Sequence, residues 1–137
     1  MANESTAVTT RNGDNRRDGY ERLVIDWTAD DTTAADPQTL VLPAINGELI
    51  SLTTDPGSAA PTDNYDITIE DALGVDVLQG VGANRHTTTT QQVYITVDGT
   101  ETRPVVTEHD VLTLKIAGNS VVSATGRIVL VFFAKDI

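Results

Sequence analysis

An all-β domain, an antiparallel jelly-roll or Greek-key β-sandwich of about eight strands with an extended N-terminal arm, is the fold class this sequence predicts. Three observations predict it. Val93-Tyr94-Ile95-Thr96-Val97 and Val111-Leu112-Thr113-Leu114-Lys115-Ile116 alternate apolar and polar side chains, the period of a strand with one face buried and one wet. Similar runs elsewhere are separated by Gly, Pro, Asp, Asn and Thr. No stretch of useful length carries the helical period.

Residues 1–18 have no apolar period and contain the turn-forming pairs Asn12-Gly13 and Asp18-Gly19. They read either as a frayed terminus or as an arm that orders against a partner; four arginines, Arg11, Arg16, Arg17 and Arg22, are more than a passive tail requires. The chain therefore divides into an arm, 1–19, and a single β-sandwich domain, 20–137. The first strand of that domain covers 20–27, with Leu23, Ile25 and Trp27 on one face and Arg22, Val24 and Asp26 on the other. A Thr/Asp loop, 29–37, follows. Residues 40–42 make a short strand stopped by Pro43, and Asn46-Gly47 signals a tight hairpin turn into a strand at 48–54.

A loop at 55–64 leads to 65–70, which alternate without a fault, and Asp71-Ala72-Leu73-Gly74 turns into a shorter strand at 75–78. After a Gly/Thr-rich connection, 79–90, a strand at 92–97 is paired through Asp98-Gly99 with 100–106, where Pro104 marks an edge or an end. The last hairpin joins 111–116 through Gly118-Asn119 to a strand from 121 onward. Its closing part, 127–134, is apolar on both faces, so it is either central and covered on both sides or part of a subunit contact. Leu23, Ile25, Ile67, Ile69, Val93, Ile95, Leu112, Leu114 and Ile116 are the expected core-facing positions.

At 137 residues the chain is one domain by length, enough to bury roughly two-thirds of its unfolded surface without staples. Only 4% of residues are aromatic, so Val, Ile and Leu must supply the core. The absence of cysteine removes disulfides, thiolate metal sites and thiol nucleophiles together. Met1-Ala2-Asn3-Glu4-Ser5-Thr6 has neither a basic nor an apolar region of a secretory signal, and no run approaches the roughly 20 apolar residues of a membrane-spanning helix. The initiator Met is expected to open a complete chain made in the cytoplasm. The net charge of −11 repels nucleic acid and anionic lipid, so neither is an expected partner. That charge is uneven. The four arginines of the first 22 residues balance Glu4, Asp14, Asp18 and Glu21, and the remainder from Leu23 onward carries the whole excess.

No constellation reads as catalytic, and the expectation is a protein that is not an enzyme and holds neither cofactor nor metal. Gly80-Val81-Gly82-Ala83-Asn84-Arg85 opens like a dinucleotide fingerprint, but the third Gly, the helix and the βαβ unit are missing, which leaves a flexible turn. Asp14, Asp18 and Gly19 do not make a calcium loop, because Arg16 stands at the third ligand position and Ile25 where a bidentate Glu is needed. His86 and His109 have no third ligand at zinc spacing, and His109-Asp110 reads as a turn. Ser51, Ser120 and Ser123 lie in strand or turn contexts, not in a nucleophile elbow. Trp27, Tyr20, Tyr65 and Tyr94 are the residue types of a sugar-stacking platform, yet they fall in separate strands, where core packing is favoured.

The block Pro61-Thr62-Asp63-Asn64-Tyr65-Asp66-Ile67-Thr68-Ile69-Glu70-Asp71, continuing through Gly74-Val75-Asp76-Val77-Leu78 to Gly82-Ala83-Asn84-Arg85, resembles small structural proteins of tailed bacteriophages. Asp110-Val111-Leu112-Thr113-Leu114 and Gly126-Arg127-Ile128-Val129-Leu130 fit the same pattern, so the likeness covers roughly the last two-thirds of the chain. It is most similar to a capsid cement (decoration) protein. The resemblance implies a β-sandwich subunit in many copies on the capsid surface of a virion, binding the major capsid protein and itself as a dimer or trimer, and stabilising the DNA-filled head. A tail or fibre-associated protein of host adsorption is the alternative, and a carbohydrate-binding or adhesive module a further one. No catalytic residues carry over. The candidate partner contacts are Arg11, Arg16, Arg17 and Arg22 of the N-terminal segment and Val129, Val131 and Phe133 of the apolar closing strand.

Overall fold

Nine strands order the described residues: β1 (Thr6–Asn12), β2 (Gly19–Thr28), β3 (Leu40–Val41), β4 (Gly47–Pro56), β5 (Asp66–Glu70), β6 (Gln91–Tyr94), β7 (Val105–Val106), β8 (Thr113–Ala117) and β9 (Thr125–Ala134). The computed structural model describes residues 6–12, 19–31, 39–97, 102–107 and 109–134, with backbone alone for 6–12. No helix occurs among them, and every pairing is antiparallel. The chain is all-β.

One sheet runs β1-β2-β9-β4-β6, with β7 also on β4; the other runs β3-β8-β5. Both send apolar side chains into one core. Leu23, Ile25, Leu49, Leu52, Ile128, Leu130 and Phe132 come from the larger sheet, and Ile67, Ile69, Leu114 and Ile116 from the smaller. Each fully buried side chain of this size contributes about 1.5–3 kcal/mol by leaving water. Trp27 of β2 meets Tyr65, just ahead of β5, with ring centroids 6.0 Å apart, so an aromatic pair ties the two sheets. Of the nine expected core positions, eight are buried and Val93 packs against the cluster from its margin.

The segment expected to be an arm supplies a strand. Thr6–Asn12 pairs with β2 from Thr6↔Thr28 to Asn12↔Arg22 without a shift in register. An edge strand held by backbone pairs needs no apolar period, which is why periodicity passed over it. Arg16, Arg17 and the rest of 1–5 and 13–18 lie outside the described residues.

Two expected hairpins are corrected. Asn46-Gly47 does not fold β3 back on β4: β3 pairs with β8 in the smaller sheet, while β4 lies in the larger one. Residues 42–46 cross between the sheets, anchored by buried Leu42 and Ile45. Gly47, at φ 150°, is needed for another reason. A Cβ there would run into the Phe133 carbonyl oxygen of β9. Gly118-Asn119 likewise carries the chain from β8 to β9 in the opposite sheet. Buried Asn119 fixes that crossing: its Oδ1 accepts from the Thr62 and Val121 amides at 3.0 and 3.1 Å, and its Nδ2 donates to the Val121 carbonyl. The pairing expected between 92–97 and 100–106 survives as the Val97 N–H bond to the Thr102 carbonyl; β6 and β7 instead follow one another along β4.

The expected strand at 75–78 is a turn. Its apolar residues are still inward, with Leu78 fully buried and Val77 nearly so. Asp76 explains the shape: one oxygen accepts from the Ile69 and Leu78 amides at 3.1 and 3.0 Å, the other from Gly80 at 3.0 Å. A carboxylate that gathers three N–H groups curls the backbone where a ladder would keep it straight.

Candidate functional site

Strand β9 lies between β2 and β4, and its alternation decides which of the candidate contacts are available. Ile128, Leu130 and Phe132 enter the core. Arg127, Val129, Val131 and Phe133 take the opposite face. Register lays that face out in rows: Tyr20–Phe133–Glu48, Arg22–Val131–Ser51–Tyr94, Val24–Val129–Thr53–Gln92 and Asp26–Arg127–Asp55. The structure thus brings together four of the seven candidate contacts, Arg22, Val129, Val131 and Phe133. Arg11 stands at the edge of the same sheet, opposite Leu23.

The middle of this face is apolar and its border polar. Val129 is 7% exposed and Ile50, at the bulge where the β4–β9 register shifts, is 9% exposed, yet neither belongs to the core cluster. They are covered on the outer side. Val24, Val131 and Phe133 are half-buried, while Tyr20 and Tyr94 stand 68% and 66% exposed. The Tyr20 ring meets Phe133 edge-on at 4.9 Å, which holds one aromatic in place beside the strip. An apolar centre with Tyr and Phe and a charged border is the composition of a protein-docking surface.

At one end of the face, Arg127 donates to both oxygens of Asp26, at 2.6 and 3.1 Å. That hydrogen bond and charge hold the Asp26 carboxyl below its ordinary range and raise the guanidinium. Asp55 flanks Arg127 from β4 and accepts from the Thr90 hydroxyl at 2.7 Å. These residues border a cleft of about 370 Å³, with Trp27, Thr28, Pro56, Gly57, Thr125 and Gly126 completing its lining. Gly126 keeps room for the indole, since a Cβ there would crowd Trp27 Nε1, which has no hydrogen-bond partner among the described residues. Sequence reading missed this cleft. Its lining comes from the ends of three strands that only register unites.

The four aromatics weighed as a sugar platform are divided. Trp27 and Tyr65 belong to the core, where burial pushes the Tyr65 hydroxyl pKa up; Tyr20 and Tyr94 lie on the outer face with β9 and β4 between them. The expected core packing is thus corrected for Tyr20 and Tyr94: Tyr20 shares the parity of Arg22, Val24 and Asp26, the face of β2 turned away from the core.

The remaining sequence candidates serve the loops. His86 Nδ1 accepts from the Thr88 and Thr89 amides at 3.0 and 2.9 Å, so the neutral ring carries its proton on Nε2. His109-Asp110 forms the expected turn, with the Thr107 amide donating to Asp110 Oδ2 at 2.8 Å. Gly82 sits where a Cβ would meet the Ile67 carbonyl, and Arg85 donates twice to the Ala83 carbonyl. Ser51 is buried on β4, and Ser120 bonds the Thr62 hydroxyl. Asp63, Asp66, Asp71, Asp76 and Asp110 all accept from backbone amides, so these five of the twenty acidic residues hold turns and connections. Among the described residues, no three His, Asp or Glu side chains group to hold a metal ion.

Compared with protein-family models, curated proteins and solved structures, the chain matches none.

Proposed function

We propose that this chain is a non-enzymatic capsid cement (decoration) protein of a tailed bacteriophage, which grips the major capsid protein shell and stabilises the DNA-filled head. The observation that carries the reading is the outer face of the larger sheet, with half-buried Val131 and Phe133 beside exposed Tyr20 and Tyr94. A free, soluble subunit gains nothing from presenting such a strip to water. Seated on a shell, the strip becomes the dry centre of a contact and Arg22 the charged group at its margin, able to bind a carboxylate at two points.

The strand orders support the same reading. In a jelly roll, successive strands alternate between two four-membered sheets. Here β2-β9-β4-β6 supplies one such sheet, to which β1 and β7 are additions, and β3-β8-β5 supplies three places of the other, with 76–85 lying beside β5 through the bonds Val77 N to Ile69 O and Arg85 N to Tyr65 O. The acid-closed loops suit a rigid subunit that must survive on a particle. Arg11, Arg16 and Arg17 are proposed to add contacts from the N-terminal segment, and virion assembly is proposed to follow synthesis in the host cytoplasm.

The experiment is quantitative mass spectrometry of purified virions from the phage that encodes this chain. Copies in proportion to the major capsid protein support cement. A small fraction of that number favours the tail or fibre role in adsorption, and absence from particles overturns both. The cleft beside Trp27, whose buried indole N–H has no hydrogen-bond partner among the described residues, favours the carbohydrate-binding reading as a second one. Saturable binding on a glycan array, abolished by Gly126→Val, would establish it.

A further inference from the structure

We propose that β1 is a docking edge for a second copy of this chain, the two β1 strands pairing antiparallel across a two-fold axis so that the two larger sheets continue as one. The particle reading expects self-association without saying where; the β1 edge and its two-fold pairing rest on the strand itself and do not need that reading.

The four sheet edges are unequal. Strand β3 has two residues and runs into Pro43; β7 has two residues behind Pro104; β6 has four. The outer side of β5 is occupied, since Ile67 N donates to Gly82 O at 2.8 Å and Val77 N to Ile69 O at 2.7 Å. Brevity, proline and cover are the usual defences against edge-to-edge pairing. Among the described residues, strand β1 has none of them. It keeps seven consecutive register pairs with β2 without a bulge, and no strand among the described residues pairs with its other side. Thr6-Ala7-Val8-Thr9-Thr10 contains no proline and no charge. Its outward backbone groups are a template for one more strand.

Charge selects a second copy as the occupant. The chain beyond Arg22 carries the whole net charge of −11, so contacts between copies through that part bring like charge to like. The first 22 residues are balanced, four arginines against four acids, and β1 lies within them at the extreme end of the sheet. Pairing there holds the two acidic bodies on opposite sides of the junction. The strand's own charge also fits a two-fold. In an antiparallel register centred on Thr9, Val8 faces the partner's Thr10, and Arg11 faces the partner's Ala7. The two arginines are then about 14 Å apart along the strands, beyond a Debye length of about 8 Å. A parallel register would set Arg11 beside its own copy.

The test uses the purified full chain without particles, so its failure is separable from that of the cement reading. Val8 and Thr10 stand in register with Asp26 and Val24, on the face of β2 that solvent reaches. Val8→Glu/Thr10→Glu and Val8→Lys/Thr10→Lys each set like charges opposite one another across the junction, and each is expected to raise the dimer dissociation constant at least about tenfold in sedimentation equilibrium. Mixing the two variants is expected to restore dimers, because Glu then faces Lys. Amide exchange on the unaltered chain needs no substitution: amides within 6–12 should slow as concentration rises through the dimerisation range. A chain that stays monomeric, dimers that persist in both double variants, a mixture that fails to re-form them, or exchange in 6–12 that ignores concentration would each overturn the proposal.

Discussion

Replacing Asp76 separates a loop that is merely present from one that holds the smaller sheet. Its carboxylate takes three amide protons, from Ile69 in β5, from Leu78 and from Gly80. Ile69 and Leu78 are fully buried, so Asp76→Ala leaves two donors away from water, whereas the Gly80 amide is exposed and rehydrates. An orphaned buried donor costs roughly 1–3 kcal/mol, and partial opening of the turn relieves some of that, which gives an expected loss of about 2–5 kcal/mol. Asp76→Asn keeps the shared oxygen acceptor and loses only the charge and the Gly80 bond, for about 1–1.5 kcal/mol. Urea unfolding reads both values, and amide exchange at Ile69 and Leu78 should accelerate far more in the Ala variant. Equal losses in the two variants, or an Ala variant within about 0.5 kcal/mol of the unaltered chain, would refute the assignment of the turn to its carboxylate.

Leu114→Ala or Ile95→Ala, each in the core, should lower stability by roughly 2–5 kcal/mol in the same assay through lost burial and a residual cavity. Val131→Asp, on the outer face between Arg22 and Ser51, should stay folded by circular dichroism and lose binding to particles stripped of the protein; an insoluble chain would assign Val131 to the interior instead. The Asp26 carboxyl is depressed by the Arg127 hydrogen bond, so its contribution is present above the ordinary carboxylate range and lost as pH falls through its lowered value. The melting difference between the unaltered chain and Arg127→Gln should therefore close in strong acid, and a difference independent of pH would refute the linkage. Gly47→Ala should destabilise the β4–β9 pairing, since its Cβ meets the Phe133 carbonyl; an unchanged melt would show that β9 lies elsewhere.

Local alternation located β2, β4, β5, β6 and β8 because each has one face in the core, and the burial of Leu23, Ile25, Ile67, Ile69, Leu114 and Ile116 follows directly. Turn chemistry was legible as turns but not as partners. Asn46-Gly47 and Gly118-Asn119 both reverse or redirect the chain, yet nothing in those pairs says whether the next strand returns to the same sheet or crosses to the other. Burial of Leu42, Ile45 and Asn119 in the connections decides for crossing, and that depends on residues distant in sequence. The apolar character of 127–134 on both faces was read as a choice between a central strand covered on both sides and a subunit contact, and β9 matches the first only in its central place, since Val131 and Phe133 stay half-buried on the outer face. The structure makes β9 central, with one side in the core and the other on the outer strip. Strand β1 and the Asp26–Arg127–Asp55 row escaped because one has no period and the other is assembled only by register across β2, β9 and β4.

The most direct measurement of the proposed cement role is a density map of particles from the phage proposed to encode this chain, at a resolution that separates strands. The account predicts this fold on the capsid shell in many symmetry-related copies, the face of Tyr20, Val131, Phe133 and Tyr94 turned toward the major capsid protein. Density confined to the tail, or copies on the shell that leave that face in solvent, would contradict it.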